Sequence, residues 1–413
     1  MKKRYWLFVF AGLLAVTAAL CARHFQAKRA MGKVLPVNKK LISANTDFSI
    51  RLFKDIASRR SGRNTLISPS SVSMSLAMAY NGSKGDTRKL MGAVLGLDKM
   101  SLHEINNSNA NLLVNLNNPG RGVNISAANG MWTGKVFPIV PSFIDISRKY
   151  YDAEVASLDF THRSAKSAID GWVRKKTHGR IDNIAEDLGG LTVLCLANAI
   201  YFKGTWTFRF DKNETQAEPF MLEDGKIKSV PMMSQEGRFR YCMGQNFEAA
   251  ALPYGSKRMS MYIFVPCEGC SLSEFLKTLN AKNWNKWLPS FQEQKVRVTL
   301  PRWKLECETN LIPPCTDLGM GNIFDSGKCD FSGICKSDRN DVYISSLKQK
   351  AFIEVNEEGT EAAAATFMVL KARCATPEVR ANRPFFYAIR DDMTGTILFM
   401  GTVVDPAMDA GIL

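Results

Sequence analysis

The sequence predicts an α+β protein, and three observations carry that reading. Helix-like stretches come early and strand-like runs dominate after Phe208. The two do not alternate in βαβ fashion, which argues against a parallel α/β layout. The run LTVLCLANAIYF (191–202) is almost wholly apolar, as a central strand buried on both faces must be. Hydrophobic residues make up 46% and charged residues 23% of the 413-residue chain, ordinary usage for a folded protein with a large core.

Taken in order, the amino terminus reads as an export signal. Lys2, Lys3 and Arg4 precede an apolar run from Trp6 to Leu20, followed by Cys21 and Ala22. A basic n-region, a short h-region and small residues at its end mark a signal peptide over 1–22, cleaved after Ala22, and hence a secreted protein. Acylation on Cys21 is disfavoured by Leu20 before it. The alternative is a membrane anchor through the N-terminus, although the run is slightly short for a bilayer span. Residues 23–40 are basic without apolar period and are assigned to a leader or linker. Residues 41–406 show no internal repeat or compositional break and form one domain, with 407–413 as a C-terminal tail.

Within the domain, Asn45 to Ala57 places Phe48, Leu52, Phe53 and Ile56 behind a polar cap, which suits an amphipathic helix. Ser68-Pro69-Ser70-Ser71 opens a second helix through Met74, Leu76, Met78 and Tyr80, with serines as caps. A third helix is expected from Gly85 to Leu95, stopped by Gly96, and a fourth over 102–116. Another amphipathic helix reads from Ser164 to His178. Strand-like runs are Val123 to Trp132, Leu191 to Phe202, Met259 to Val265, Lys295 to Leu300, Ala351 to Val355, Phe385 to Arg390 and Thr396 to Val403.

The formal charge of +15 raises nucleic acid or polyanion binding. The basic residues are scattered, with Arg59, Arg60 and Arg63 the densest cluster, and no basic motif is interleaved with aromatics. Solvated basic surface with weak, incidental polyanion binding is therefore expected, and no specific nucleic acid. The helix at 85–95 offers only Arg88 and Lys89 inside it. Of ten cysteines, Cys195 sits in an apolar run and reads as a small buried hydrophobe. Cys267 and Cys270 form a CxxC that suits a local disulfide better than zinc, since no second ligand pair follows. The four histidines lie in no catalytic setting, and no GxSxG, Walker A or dinucleotide motif occurs. An enzyme, a cofactor and a metal site are accordingly not expected. Asn81, Asn106, Asn124 and Asn213 begin glycosylation sequons.

Six segments in order resemble the serpin family: NTLISPSSVSMSLAMAYNGSKGDT (64–87), NAIYFKGTWTFRFDKNETQAEPF (198–220), LPRWKLE (300–306), LGMGNIFDSGKCDFSGI (318–334), FIEVNEEGTEAAAAT (352–366) and RPFFYAIRDDMTGTILFMGTVVDP (383–406). The resemblance implies a serpin fold with a large central mixed β-sheet, further smaller sheets, about eight or nine helices and an exposed reactive-centre loop over about 357–382. It also implies a monomer that inhibits serine proteases by entering a covalent complex.

The segment GTEAAAATFMVL (359–370) has its own physical reading. It lacks proline, carries no charge after Glu361 and is mostly small. On composition, Ala362, Ala363, Ala364 and Ala365 would be called helical, yet small residues also enter a crowded sheet. As a strand it points Thr360, Ala362, Ala364, Thr366 and Met368 to one face and Glu361, Ala363, Ala365 and Phe367 to the other. No proline or inward charge blocks insertion, which favours an inhibitor over the alternative, a non-inhibitory carrier, chaperone or protease substrate.

Counting from Gly359 and back from Pro384, the family spacing implies a scissile bond between Arg373 and Cys374. Arginine there suits a trypsin-like protease, whose pocket offers a carboxylate. Lys371 is a second candidate cleavage point. The resemblance further implies that Trp206 and Arg302 stand where insertion begins, with Arg302 paired to Glu357 at the loop base, and that Ser68, Ser71 and Asn198 lie beneath the opening sheet. Gln349 stands where many members carry histidine, and Pro313-Pro314 should shorten a helix.

Overall fold

The first helix starts six residues before the pattern that announced it. α1 spans Lys39–Arg59, and Asn38 caps it by accepting from the Lys40 amide at 2.9 Å. Leu41 joins Phe48, Leu52, Phe53 and Ile56 on its buried face. Lys39 and Lys40, assigned above to a leader, are thus a solvent-facing first turn, because the cap lies upstream of them. The computed structural model describes residues 34–185, 188–189, 192–336, 342–360, 376–408 and 411–412. The expected signal peptide, most of the expected leader and the segment 361–375 lie outside the described residues.

α2 (Pro69–Gly82) is buried on every side from Pro69 to Tyr80. Its serines do not cap it as expected. Ser68 at the N-cap makes no side-chain bond, and proline at the first helical position starts the helix instead. At Gly82 a Cβ would lie 2.2 Å from Ile334 Cγ1, so glycine is needed for close approach. α3 (Gly85–Leu95) ends at Gly96 with φ 68°, and α4 (Leu102–Asn117) opens with a Ser101/Glu104 capping box. α5 (Pro141–Tyr151), α6 (Arg163–Lys176), α7 (Leu272–Thr278), α8 (Ala281–Trp287) and the four-residue α9 (Ile312–Cys315) follow. Pro313 and Pro314 stand in the first turn of α9, where proline is tolerated, and further helical turns carry the chain on to Phe324.

The strands are β1 (Thr65–Ile67), β2 (Val123–Gly134), β3 (Glu154–Leu158), β4 (Leu194–Thr205), β5 (Gln216–Met221), β6 (Ile227–Met243), β7 (Phe247–Tyr254), β8 (Met259–Pro266), β9 (Gln292–Pro301) and β10 (Trp303–Asn310). After these come β11 (Ile344–Val355), β12 (Gly359–Thr360), β13 (Glu378–Arg380), β14 (Phe385–Asp391), β15 (Ile397–Val403) and β16 (Gly411–Ile412). One sheet runs β1-β15-β14-β8-β7-β6-β9-β13 with β5 added on β6. The other, called the main sheet below, runs β16-β10-β11-β4-β2-β3 with β12 added on β4. It is mixed: β10/β11 and β2/β4 are antiparallel, while β4/β11 and β2/β3 are parallel.

β4 is buried on both faces because different elements cover it. Leu194 and Leu196 join the large core with α1 and α2, and Cys195, Ala197 and Ala199 join a cluster under α6 with Trp132, Ile169 and Val173. Cys195 behaves as a small hydrophobe, its thiol pushed up to about 12 by burial. Two sequon asparagines are engaged inside the fold: Asn106 donates to Asn81 Oδ1 at 2.8 Å and accepts from Tyr151 Oη at 2.7 Å.

Where β8 meets β14, Arg258 makes a buried ion pair. Its Nη2 lies 2.7 Å from Asp391 Oδ2, with side chains 4% and 0% exposed, and its Nη1 donates to the Asn118 carbonyl at 2.6 Å. Removing one partner strands the other charge in low dielectric, at a cost of about 3–5 kcal/mol. Arg258→Ala is therefore expected to lower stability by that amount in urea titration at unchanged m-value. A loss below about 1 kcal/mol would mean that water screens the pair.

Candidate functional site

The site grows from the pairing of β4 with β11. These parallel neighbours pair from Ile344↔Leu194 to Phe352↔Tyr201, after which they part. β4 continues to Thr205, and in the opening β12 pairs antiparallel with it, Gly359 opposite Thr205 and Thr360 opposite Gly204. The chain leaves β11 at Val355, reverses through a turn closed by Asn356 and Gly359 (N–H to carbonyl 2.9 and 3.2 Å), and heads back down β4. Gly359 has φ +138°, and a Cβ there would meet the Gly204 carbonyl oxygen at 2.1 Å. Only glycine fits this position.

The turn is held from three sides. Trp206 stacks on Tyr254 with ring centroids 4.3 Å apart and donates from Nε1 to the Asn356 carbonyl at 2.9 Å. The backbone amides of Trp206 and Phe210 donate to the carbonyls of Glu358 and Glu357 at 3.0 and 2.9 Å. The Glu357 carboxylate, 2% exposed, accepts from Arg302 Nε at 2.7 Å and from the Thr215 hydroxyl. Lys212 pairs with Glu358. Burial pushes the Glu357 carboxyl up, but the bonds from Arg302, Thr215 and its own backbone outweigh it and hold the group below its ordinary value.

Lower in the sheet a polar row crosses four strands in register: Thr309, Gln349, Asn198 and Asn129. Gln349 Nε2 donates to Asn198 Oδ1 at 3.0 Å and to the Ser68 carbonyl at 2.8 Å, while its Oε1 accepts from the Ser68 amide at 2.8 Å. Asn198 Nδ2 donates to Asn129 Oδ1 at 2.9 Å, and Ser75 donates to the same oxygen at 3.0 Å. Ser68 thus joins through its backbone. The hydroxyls of Ser68 and Ser71 are buried without a protein partner.

The structure therefore brings Trp206, Arg302, Glu357 and Gly359 together at the mouth of the β4–β11 pair, and Ser68, Asn198 and Gln349 below it. Glu361, Ala362, Ala363, Ala364, Ala365, Thr366, Arg373 and Cys374 lie outside the described residues. Sequence reasoning missed Asn129, Ser75, Thr215 and Lys212; Asn129, a lone amide in an apolar strand, was the one available signal. The expected basic cluster is not a surface patch. Arg60 is 2% exposed and donates to Cys307 Sγ and the Asn64 carbonyl at 2.8 and 3.2 Å, and Arg59 is engaged by Asp55 and Asp317. Cys267 and Cys270 flank a tight turn and form no disulfide with each other, contrary to the local bridge expected. Among the described residues no cluster suits a metal, and no helix is long and apolar enough to cross a membrane.

Over residues 43–406 the sequence matches the family described as Serpin (serine protease inhibitor). It is 37% identical over 377 residues to Serpin B6 of Macaca fascicularis, covering 89% of this chain and 99% of that protein. It is 34% identical over 382 residues to the leukocyte elastase inhibitor of Homo sapiens, covering 89% and 100%. Among solved structures it is similar to the thermophilic serpin tengpin in the native state, with a TM-score of 0.84, 31% identity and coverage of 91% and 96%.

Two measurements probe this geometry. Gln349→Leu removes both bonds to Ser68 and the donor to Asn198 Oδ1, and is expected to cost about 1–3 kcal/mol in urea titration; an unchanged midpoint would contradict the row. For Arg302→Ala the cost is on the order of 1 kcal/mol at neutral pH, since Arg302 is 43% exposed. A carboxyl held low stabilises the fold above its unfolded value and loses that contribution as pH falls through the folded one. The difference between Arg302→Ala and the parent should therefore close below about pH 4. A difference independent of pH would show that Arg302 acts by packing alone.

Proposed function

The chain belongs to the serpin family, and from that premise we propose that it is a suicide-substrate inhibitor of trypsin-like serine proteases, cleaved between Arg373 and Cys374. The observation that carries this reading is β12, a strand already started antiparallel to β4 in the opening between two parallel strands. A strand antiparallel to one of two parallel neighbours is antiparallel to both, so β12 has the polarity to pair with β11 as well once the β4–β11 ladder below Tyr201 and Phe352 separates.

Continuing the β12 register downward sets Glu361 opposite Lys203, Ala362 opposite Phe202, Ala364 opposite Ile200 and Thr366 opposite Asn198. Side chains opposite each other share a face. Ala362, Ala364 and Thr366 would then turn towards the core, and Ala363 and Ala365 towards the side that α6 covers. Opposite the large core-facing Ile200 and Phe202 the incoming side chains would be alanines, which add little volume. Thr366 would arrive at the polar row, where the Gln349–Asn198 bond must open to admit it, and its hydroxyl can both donate and accept.

In the proposed reaction the protease serine attacks the Arg373 carbonyl. The peptide C–N bond to Cys374 breaks, the protease histidine supplies the proton that leaves with the new Cys374 amine, and Arg373 remains as an acyl ester. Insertion of about fourteen extended residues carries the enzyme about 45 Å, and hydrolysis of the ester fails if the dragged active site is distorted. Insertion must outrun deacylation, so trapping is a kinetic contest. The Arg373 guanidinium supports a trypsin-like target, whose pocket carboxylate would pair with it. The leader over 1–22 supports export of the inhibitor.

Incubation with trypsin followed by denaturing electrophoresis tests the proposal: a covalent complex at the summed mass is expected. Clean nicking after Arg373 with protease activity intact would overturn it in favour of a carrier or substrate. Arg373→Ala should slow complex formation with trypsin at least ~100-fold. Thr360→Arg puts a charge on an inserting position and should convert trapping into cleavage.

A further inference from the structure

α4 is rich in a residue that does not favour helices. Asparagine competes for the backbone with its own side chain, yet α4 carries it at 106, 107, 109, 111, 115 and 117. Asn106 meets Asn81 and Tyr151, and Asn109 turns back on the Ile105 carbonyl. Ser108, Asn111 and Asn115 do something else. Spaced three and four apart, they form one stripe along the helix, and the chain that precedes α1 lies along it.

Asn115, 2% exposed, takes both main-chain groups of Leu35. Its Oδ1 accepts from the Leu35 amide at 2.8 Å, and its Nδ2 donates to the Leu35 carbonyl at 2.9 Å. Asn111 Nδ2 donates to the Pro36 carbonyl at 2.7 Å, and the Ser108 hydroxyl accepts from the Asn38 amide at 3.4 Å. No donor is asked of Pro36, which has none. Val37 packs against both large apolar clusters, while Pro36 is exposed. The stripe thus reads main chain at 35, 36 and 38, with one apolar anchor at 37. Main-chain bonds that give affinity and a single side-chain contact that gives selectivity are how extended peptides are recognised.

We propose that α4 carries a binding site for an extended peptide, filled in this chain by its own residues 34–38 and open to a matching segment of another protein once that arm is displaced. The matching ligand is a short extended segment with proline where Pro36 stands and a small apolar residue directly after it. The arm lies ahead of the family match, which begins at residue 43. Displacing it leaves the buried Asn115 amide with neither its acceptor nor its donor, and an arriving main chain restores both.

In the test, the full-length double variant Leu35→Pro, Val37→Asp removes one clamped donor and sets a charge against the apolar clusters, which should release the arm. Hydrogen exchange over residues 34–38 should become as fast as in the free peptide. Continued protection would show that the stripe does not hold the arm and would overturn the proposal. A fluorescent, end-blocked peptide of residues 34–38 should bind the released protein saturably in an anisotropy titration. It should bind the parent at least ~10-fold more weakly, because the tethered arm competes at high effective concentration. Leu35→Ala in the peptide should leave binding intact, whereas Leu35→Pro in the peptide should weaken it at least ~10-fold by leaving the Asn115 oxygen without its donor. These two changes touch the peptide alone, so folding of the protein does not enter. Absence of saturable binding to the released protein would overturn the proposal, as would equal affinity for the alanine and proline peptides. Protease trapping is not read in any arm of the experiment, so failure here and failure of the inhibitor reading are distinguishable.

Discussion

The structure depends on two parallel strands that are neighbours although a third could stand between them. β4 and β11 pair over the lower part of the sheet and part at Tyr201 and Phe352. Parallel strands are normally brought together by a covering crossover and then stay closed. Here the chain that leaves β11 is itself the strand that would fill the gap, and its first two residues are already in place. Everything around the opening serves to hold that chain at the threshold.

The restraints divide by height in the sheet. At the mouth, Trp206, Arg302 and Thr215 grip the turn before Gly359 through its backbone and the Glu357 carboxylate. These contacts touch the turn itself, so the proposed extension of the strand would not have to break them. Lower down, the Gln349–Asn198 bond ties the two strands across the gap, and it must be lost before the strand advances past it. In the proposed insertion the first set would position the chain, and the second would set a barrier. Gln349 suits that task, because its amide satisfies Ser68 through both donor and acceptor while keeping a proton for Asn198. A side chain with fewer bonding groups could not bridge the helix start and the neighbouring strand together.

What could be read in the sequence was what depends on short-range pattern. The uniform apolarity of 191–202 marked β4, Gly96 marked the end of α3, and the resemblance brought Arg302 and Glu357 together across 55 residues. What could not be read depends on tertiary context. α1 began early because its cap precedes two lysines that carry no apolar signal. The serines before α2 looked like caps, yet the helix is buried all round and Ser68 spends its backbone on Gln349. α7 and α8 are seven residues each, too short for a helical period to stand out. Arg60 reads as surface charge until Asn64 and Cys307 enclose it. The row through Asn129 is set by strand register, which pattern alone does not specify.

The same sheet must be open at its centre and closed at its rim, and these demands conflict. A sheet that accepts a strand readily between β4 and β11 has backbone groups poised for pairing, and an unprotected β10 would offer the same chemistry without any gate. At the centre, selectivity comes from tethering: the inserting strand belongs to the same chain, so it arrives at high effective concentration and in one register. At the rim no such tether discriminates, and any extended segment would serve. Among the described residues β16 meets that outer edge at Cys307 and Glu308 only, so it is at the centre, where the incoming strand belongs to the same chain, that covalent connection decides which strand pairs first.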